Sequence, residues 1–379
     1  MKKIITAIAI TLMAFACGTP KTTGPDLLPA ENFDTTINDV PIRLYTLKNA
    51  QLTMQVTNFG GRIVTLFAPD KNGELADVVL GHRTIGEYVH PTGERFVGCC
   101  VGPIANRISG ASFTIDGVRY DTPVNDNGVN TLHGGLYGLD SVPWKVVECE
   151  SNRIVLRYTH PDGFEGYPGN LEITMMYTLT SYNDLRIEYA ALTDKATPIN
   201  LSNHSFFNLR GEGNGDILSH VMTINASNYT PVDSLLIPTG EIQSVENTPL
   251  DFREPHTIGE RIGQTDNQQI AYAGGYDHNW VLDKRADVKL SSACTVLEPE
   301  SGRCLEVLTD QSGMQFYAGN FFNGEGVGAC GKPIEFRSYL ALETQCFPNS
   351  VNQKNFPSII LTPDKEYSHT CIYRFSVKQ

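Results

Sequence analysis

Hydrophobic and polar residues alternate with a period of two along most of the chain. In Leu171-Glu-Ile-Thr-Met-Met-Tyr-Thr-Leu179, the odd positions Leu171, Ile173, Met175, Tyr177 and Leu179 share one face, while Glu172, Thr174 and Thr178 share the other. The run Leu185 to Leu192 repeats the pattern with Leu185, Ile187, Tyr189 and Ala191, and Tyr182-Asn183-Asp184 between them suits a hairpin loop. Arg153–Tyr158, Leu52–Val56 and Cys304–Thr309 read the same way. Turn signals recur at Lys71-Asn72-Gly73, Asp116-Gly117, Asn127-Gly128 and Ser301-Gly302. Helical periodicity is confined to short runs such as Thr257 to Ile262, and no repeat or low-complexity segment is visible. Many strands without parallel βαβ spacing predict an all-β chain of antiparallel sheets, a large sandwich or barrel, in a single domain over residues 39–379.

Five stretches are too polar for their strand-like setting. Val101 to Gly110 carries Asn106 and Arg107, and Asn130 to Asp140 carries His133 ahead of Gly134-Gly135, glycines that permit positive φ or a close approach to a ligand. Thr197 to Gly211 sets His204 among asparagines, serines and phenylalanines, and Asp277 and His278 follow the pair Gly274-Gly275. Glu343 lies in an apolar run with Gln345 on the same strand face. Each has a plain reading as surface ion pair, turn chemistry, loop cap or satisfied core histidine. Glu343 resists it most, because a carboxylate in a buried strand is costly unless paired or used.

Taken in order, the segments VGPIANRISGASFTIDGVRY, NTLHGGLYGLDSVPW, TPINLSNHSFFNL, YDHNW, MQFYAGNF, LETQCFPNSVNQKNFPS and LTPDKEYSHTCIYRFS resemble the galactose mutarotase (aldose 1-epimerase) family from about Ile42 to Ser376. The resemblance implies a β-supersandwich and interconversion of the α and β anomers of free aldohexoses such as galactose and glucose. It implies His204 as general acid, Glu343 as general base and His133 as their assistant at the sugar ring. Asn106, Arg107, Asp277 and Gln315 would hold sugar hydroxyls, and Phe206 or Phe207 would offer a ring face. Ala341 departs from a cysteine common in relatives. Opening a hemiacetal needs one group to take the anomeric proton and another to protonate the ring oxygen, so a carboxylate and an imidazole suffice. Neither metal nor cofactor is expected. Donors such as Gln345 or the substrate itself are expected to offset the burial of Glu343 and keep it ionised.

Composition narrows the alternatives. The chain has 379 residues and a formal charge of −13, which disfavours nucleic acid and multiply phosphorylated ligands and leaves neutral sugars open. The remaining function classes are a non-catalytic carbohydrate-binding lipoprotein, a glycoside hydrolase using Asp277 and Glu343, and a hexose-6-phosphate 1-epimerase. The N-terminus reads as a processing signal: Lys2 and Lys3, then apolar Ile4 to Ala16, too short to span a bilayer comfortably. Ala14-Phe-Ala-Cys17 resembles a bacterial lipobox, which implies removal of residues 1–16, lipidation of Cys17, a tether over 17–38, and a cell-envelope lipoprotein facing the periplasm. Oligomeric state is not encoded in any feature of the sequence. The other eight cysteines show neither a disulfide framework nor a CxxC pair, and buried free thiols are expected.

Overall fold

The computed structural model describes residues 24–285 and 287–379; the expected signal at 1–16 and Cys17 lie outside the described residues. The alternation resolves into antiparallel sheets. The largest has nine strands, in the order Lys145–Cys149, Arg153–His160, Leu171–Leu179, Asp184–Thr193, Tyr367–Val377, Arg303–Thr309, Ser291–Leu297, Val221–Ile224 and His256–Thr257. Its central hairpin follows the predicted parity. Leu171, Ile173, Met175, Tyr177 and Leu179 are all buried, and Met175 and Tyr177 sit opposite Tyr189 and Ile187. The Thr180 N–H donates to the Asp184 carbonyl at 2.9 Å, closing the turn at the predicted place.

A four-stranded sheet (Leu44–Lys48, Thr53–Thr57, Arg62–Pro69, Leu75–Asp77) and a six-stranded sheet complete the core. One apolar cluster draws on all three, from Leu47 and Met54 through Met175 and Tyr189 to Trp280, Phe316 and Leu342. The described α-helices are two single short turns, Ile85–Val89 and Gln268–Ala273, and Ile258–Glu260 forms one 3-10 turn inside the predicted Thr257–Ile262 run.

The six-stranded sheet positions the chemistry. Its order is Phe206–Phe207, Leu340–Gln345, Gly313–Tyr317, Asp277–Val281, Asn228–Thr230 and Gln243–Ser244. Alternation splits its residues between two faces. Trp280, Met314, Phe316, Leu340 and Leu342 turn to the apolar cluster. Gln315 and Glu343 are direct cross-strand partners, and Asp277 pairs with Tyr317, so these four share the opposite face. Truncating Phe316 to alanine would cost about 3–5 kcal/mol and loosen the strand that carries Gln315.

One expectation changes. The tether does not extend to residue 38: the Leu28 N–H donates to Gln55 at 2.9 Å, Phe33 is fully buried, and Thr35–Ile37 pairs with Val40–Ile42. The apolar side chains of this segment find core partners, which composition alone did not reveal. The glycine pairs take positive φ, one of the two uses expected of them, and serve the chain's own packing. A Cβ at Gly134 would lie 1.9 Å from the Gly102 carbonyl oxygen, and Gly274, at φ 64°, ends the short helix ahead of Asp277. All eight cysteines among the described residues are free thiols; six are buried, while Cys149 and Cys330 are exposed.

Candidate active site

A cleft of about 270 Å³ opens over the polar face of the six-stranded sheet. Two sources build its wall. Asp277, Tyr317 and Glu343 come from the sheet, and Glu94–Phe96, Asn106, Arg107, His133, His204 and Phe321 come from the connections above it.

His204 follows the two-residue strand Ser202–Asn203, which pairs with Cys100–Val101. Its own N–H donates to the Cys99 carbonyl at 2.8 Å, and its carbonyl accepts the Gly98 N–H at 3.0 Å, so the backbone is fixed on both sides. The imidazole Nε2 stands 3.6 Å from Glu343 Oε1. Nδ1 of His204 and Oε2 of Glu343 are buried without a hydrogen-bond partner among the described residues. Burial dominates the electrostatics of both. It pulls His204 down to about 4, with the Arg62 guanidinium adding to the effect against a backbone hydrogen bond. It pushes Glu343 well above the usual carboxylate range, reinforced by Asp277 and Glu94 and opposed by Arg107. Desolvation therefore disfavours the ion pair, and the two groups share one proton most cheaply as neutral acid and neutral imidazole.

His133 sits at φ 49° in the turn after Thr131–Leu132. Its Nδ1 accepts the Asn106 N–H at 3.1 Å, while its own N–H donates to the Asn106 carbonyl at 3.0 Å. That bond places the remaining ring proton on Nε2, so His133 is a donor in the cleft. Its ring meets His204 edge-on, with centroids 5.1 Å apart. His133, His204 and Glu343 bring ligand-type atoms within 4.8 Å of one another, a spacing that could hold a metal. The Asn106 bond counts against it: metal-bound histidine normally donates from its second nitrogen, whereas Nδ1 of His133 accepts.

The polar remainder is tightly cross-linked. Asp277 accepts the Gln315 amide at 2.7 Å and lies 3.8 Å from the Arg107 guanidinium, which also holds Asp126 at 3.3 Å. Asn106 spends its side-chain oxygen on the Arg107 N–H at 2.9 Å, leaving its NH₂ group for the cleft. Arg95 forms a bidentate pair with Asp140, both contacts at 2.8 Å, and lies over the Phe96 ring.

A family model described as aldose 1-epimerase matches residues 43–374. The chain belongs to the aldose 1-epimerase family. It is 40% identical to the galactose mutarotase of Bos taurus over 336 residues, covering 89% of this chain and 94% of that protein. It is 34% identical to the aldose 1-epimerase of Escherichia coli (strain K12) over 338 residues, 88% and 95% of the two chains. Among solved structures, the GalM/aldose epimerase homologue from C. elegans superposes with a TM-score of 0.82 at 29% identity, over 89% of this chain and all of that one.

Within this aldose 1-epimerase fold, His204, Glu343, His133, Asn106, Arg107 and Asp277 all reach one cleft, as their motifs implied. Gln315 is not among the residues lining the cleft; its side chain is buried beside Glu343 on the same sheet face, and its amide donates to Asp277. Phe206 and Phe207 do not line it either. Both are fully buried on opposite sides of their strand, Phe206 beneath His204 at 4.8 Å and Phe207 against Tyr373 at 5.0 Å. The exposed aromatic surface comes instead from Phe96 and Phe321, the latter stacked on Tyr317. Gln345 shares the strand face of Glu343 but gives it no hydrogen bond; both polar atoms of its amide lack partners among the described residues. Glu94, Arg95 and Phe96 were missed in the sequence, where nothing links them to the motifs; Tyr317 and Phe321 lie within MQFYAGNF, but only Gln315 of that segment was singled out.

Proposed function

We infer that the protein is an aldose 1-epimerase acting on free aldohexoses, and that Glu343 and His204 carry its proton transfers. The supporting observation is their opposition across 3.6 Å, each with an unpartnered atom in a small, sheltered cleft. The anomeric hydroxyl oxygen and the ring oxygen of an aldose sit on one carbon, so two facing groups reach both. Glu343 as carboxylate takes the anomeric proton, and His204 as imidazolium protonates the ring oxygen as its bond to C1 breaks. The open aldehyde turns about C1–C2 and recloses on its other face, with both protons returning the way they came.

After ring opening the pair holds a neutral acid and a neutral imidazole, the distribution that burial favours. Reaching the competent ion pair needs compensation. The substrate supplies it by donating its anomeric hydroxyl to Glu343 Oε2 and accepting from His204, hydrogen bonds that favour the charged forms. The Nε2–H of His133 and the NH₂ of Asn106 donate to the sugar, while Asp277 and Arg107 orient it. The cleft is smaller than the range typical of drug-sized ligands, about 300–1,000 Å³, which suits one monosaccharide.

A 6-phosphosugar fits less well. Both arginines of the cleft are already matched, Arg95 by Asp140 and Arg107 by Asp126 and Asp277, so no guanidinium there is left for a phosphate. The lipobox-like start supports an envelope lipoprotein held through Cys17. The catalytic reading is tested by polarimetry of freshly dissolved α-D-glucose and α-D-galactose with chelator-treated protein. Accelerated mutarotation is expected; a rate equal to buffer for several aldoses would overturn it.

A further inference from the structure

Three carboxylates line the cleft, and two have side-chain partners. Asp277 accepts from Gln315 and faces Arg107, and Glu343 faces His204. Glu94 is different. Its Oε1 accepts the N–H of Phe96, two residues on in its own loop, at 2.8 Å, and no side chain among the described residues donates to it. A half-buried carboxylate in a cleft carries a desolvation cost that backbone hydrogen bonds from its own loop offset only in part. Burial is the largest influence on its pKa and pushes it up, against backbone hydrogen bonds from Phe96 and Arg95 and the charge of Arg62. Its charge is felt at Tyr317 and Glu343, so it belongs electrically to the site.

Its neighbours are anchored. Gly93 lies at φ 78°, where an added Cβ would meet the Glu325 carbonyl at 3.0 Å. Arg95 is held by Asp140 through two bonds, and Phe96 packs on His133 with centroids 4.6 Å apart. A carboxylate fixed between such neighbours loses little freedom on binding a ligand. What it lacks among the described residues is a side-chain donor, and an aldose presents a hydroxyl on every carbon beyond the anomeric centre that does not close the ring.

We propose that Glu94 is a specificity-determining residue whose carboxylate accepts a hydrogen bond from one hydroxyl of the bound aldose away from the reacting oxygens. The assignment rests on the aldose 1-epimerase reading. It makes the cleft selective for sugars that keep that hydroxyl, and its negative charge adds to the barrier against anionic sugars.

The test compares wild type, Glu94→Ala and Glu94→Gln on galactose and its 2-, 3-, 4- and 6-deoxy analogues by polarimetry. A hydrogen bond to a charged group corresponds to about a tenfold to hundredfold change in binding. Glu94→Ala is therefore expected to raise KM for galactose by at least about tenfold, with kcat changed less than about threefold. For one deoxy analogue the same substitution should leave KM unchanged, because the hydroxyl is already gone. Glu94→Gln keeps an oxygen for the Phe96 N–H and should show a smaller penalty lost on the same analogue, so the pattern remains readable if the alanine variant folds poorly. An equal penalty on every sugar would assign the effect to loop distortion and overturn the proposal, as would an unchanged KM. Absence of wild-type mutarotation on galactose would overturn the catalytic reading and the proposal with it.

Discussion

Replacing Glu343 by glutamine separates chemistry from stability in one variant. The amide keeps the shape of the side chain but cannot take the anomeric proton. Loss of a general base typically costs about 10²–10⁴-fold, or about 2.7–5.5 kcal/mol in barrier at 1.36 kcal/mol per decade, and kcat should fall by that amount. Stability should move the other way. The folded state holds the Glu343 proton more tightly than the unfolded chain, because burial raises its pKa. A raised carboxylate pKa means stability present below the unfolded value, near 4.5, and lost as pH rises toward the folded value. Across that window wild type loses up to about 1.4 kcal/mol per pH unit from this group alone, and the glutamine variant loses none. Thermal melts of both proteins between pH 5 and pH 8 should therefore show a gap favouring the variant that widens with pH. Polarimetric kcat at one pH completes the assay. A variant with near-wild-type kcat and a normal melt would refute Glu343 as base, and Asp277 would become the next candidate. A gap independent of pH would refute the desolvation argument.

Three further outcomes are expected. With burial holding His204 near 4, kcat/KM should stay level as pH falls through 6.5 and decline only toward pH 4, as a second proton enters the pair; a midpoint near 6.5 in the pH–rate profile would show an ordinary, solvated imidazole. Asp277→Asn keeps the Gln315 bond and should raise KM by about tenfold with kcat changed only a few-fold, whereas Arg107→Ala removes the counter-charge shared by buried Asp277 and half-buried Asp126 and should also lower the melting temperature, by differential scanning fluorimetry. Cys17→Ser should shift the protein from the membrane to the soluble or unprocessed fraction of cells; wild type found only in the soluble periplasmic fraction would refute lipidation and leave the catalytic reading untouched.

What was legible in the sequence divides by the kind of structure that carries each residue. Glu343 was legible as a carboxylate in an apolar run, and the strand register explains why it stands out, whereas Asp277, in the polar run Asp277-His278-Asn279, was legible only through its motif. Parity misleads where it says nothing about depth. Phe206 and Phe207 point to opposite faces as adjacent strand residues must, yet both faces are covered there, and neither ring can meet a sugar. Gln345 shares the face of Glu343 two residues away but gives it no hydrogen bond; Gln315, directly opposite Glu343, sends its amide to Asp277 on the next strand.

The loop-borne half of the cleft obeys a different logic, which explains why Glu94 and Phe96 were invisible while His133 and His204 were not. The two histidines came with motifs; their positions are set by backbone bonds that cross long sequence gaps. His204 is clamped to Gly98 and Cys99, His133 is bonded reciprocally to Asn106, and Gly134 must pass against Gly102. All three anchors fall between Gly98 and Asn106, the segment that leads directly out of Glu94–Phe96. The same nine residues thus align both histidines and aim the Glu94 loop at the cleft. A side chain at Gly134 would push against the Gly102 carbonyl and shift His133 relative to His204. Because proton transfer needs heavy atoms within hydrogen-bond reach, a displacement of about 1 Å there would cost rate without touching a reacting group. The alignment of the proton pair is therefore a property of this segment as much as of the sheet that carries Glu343.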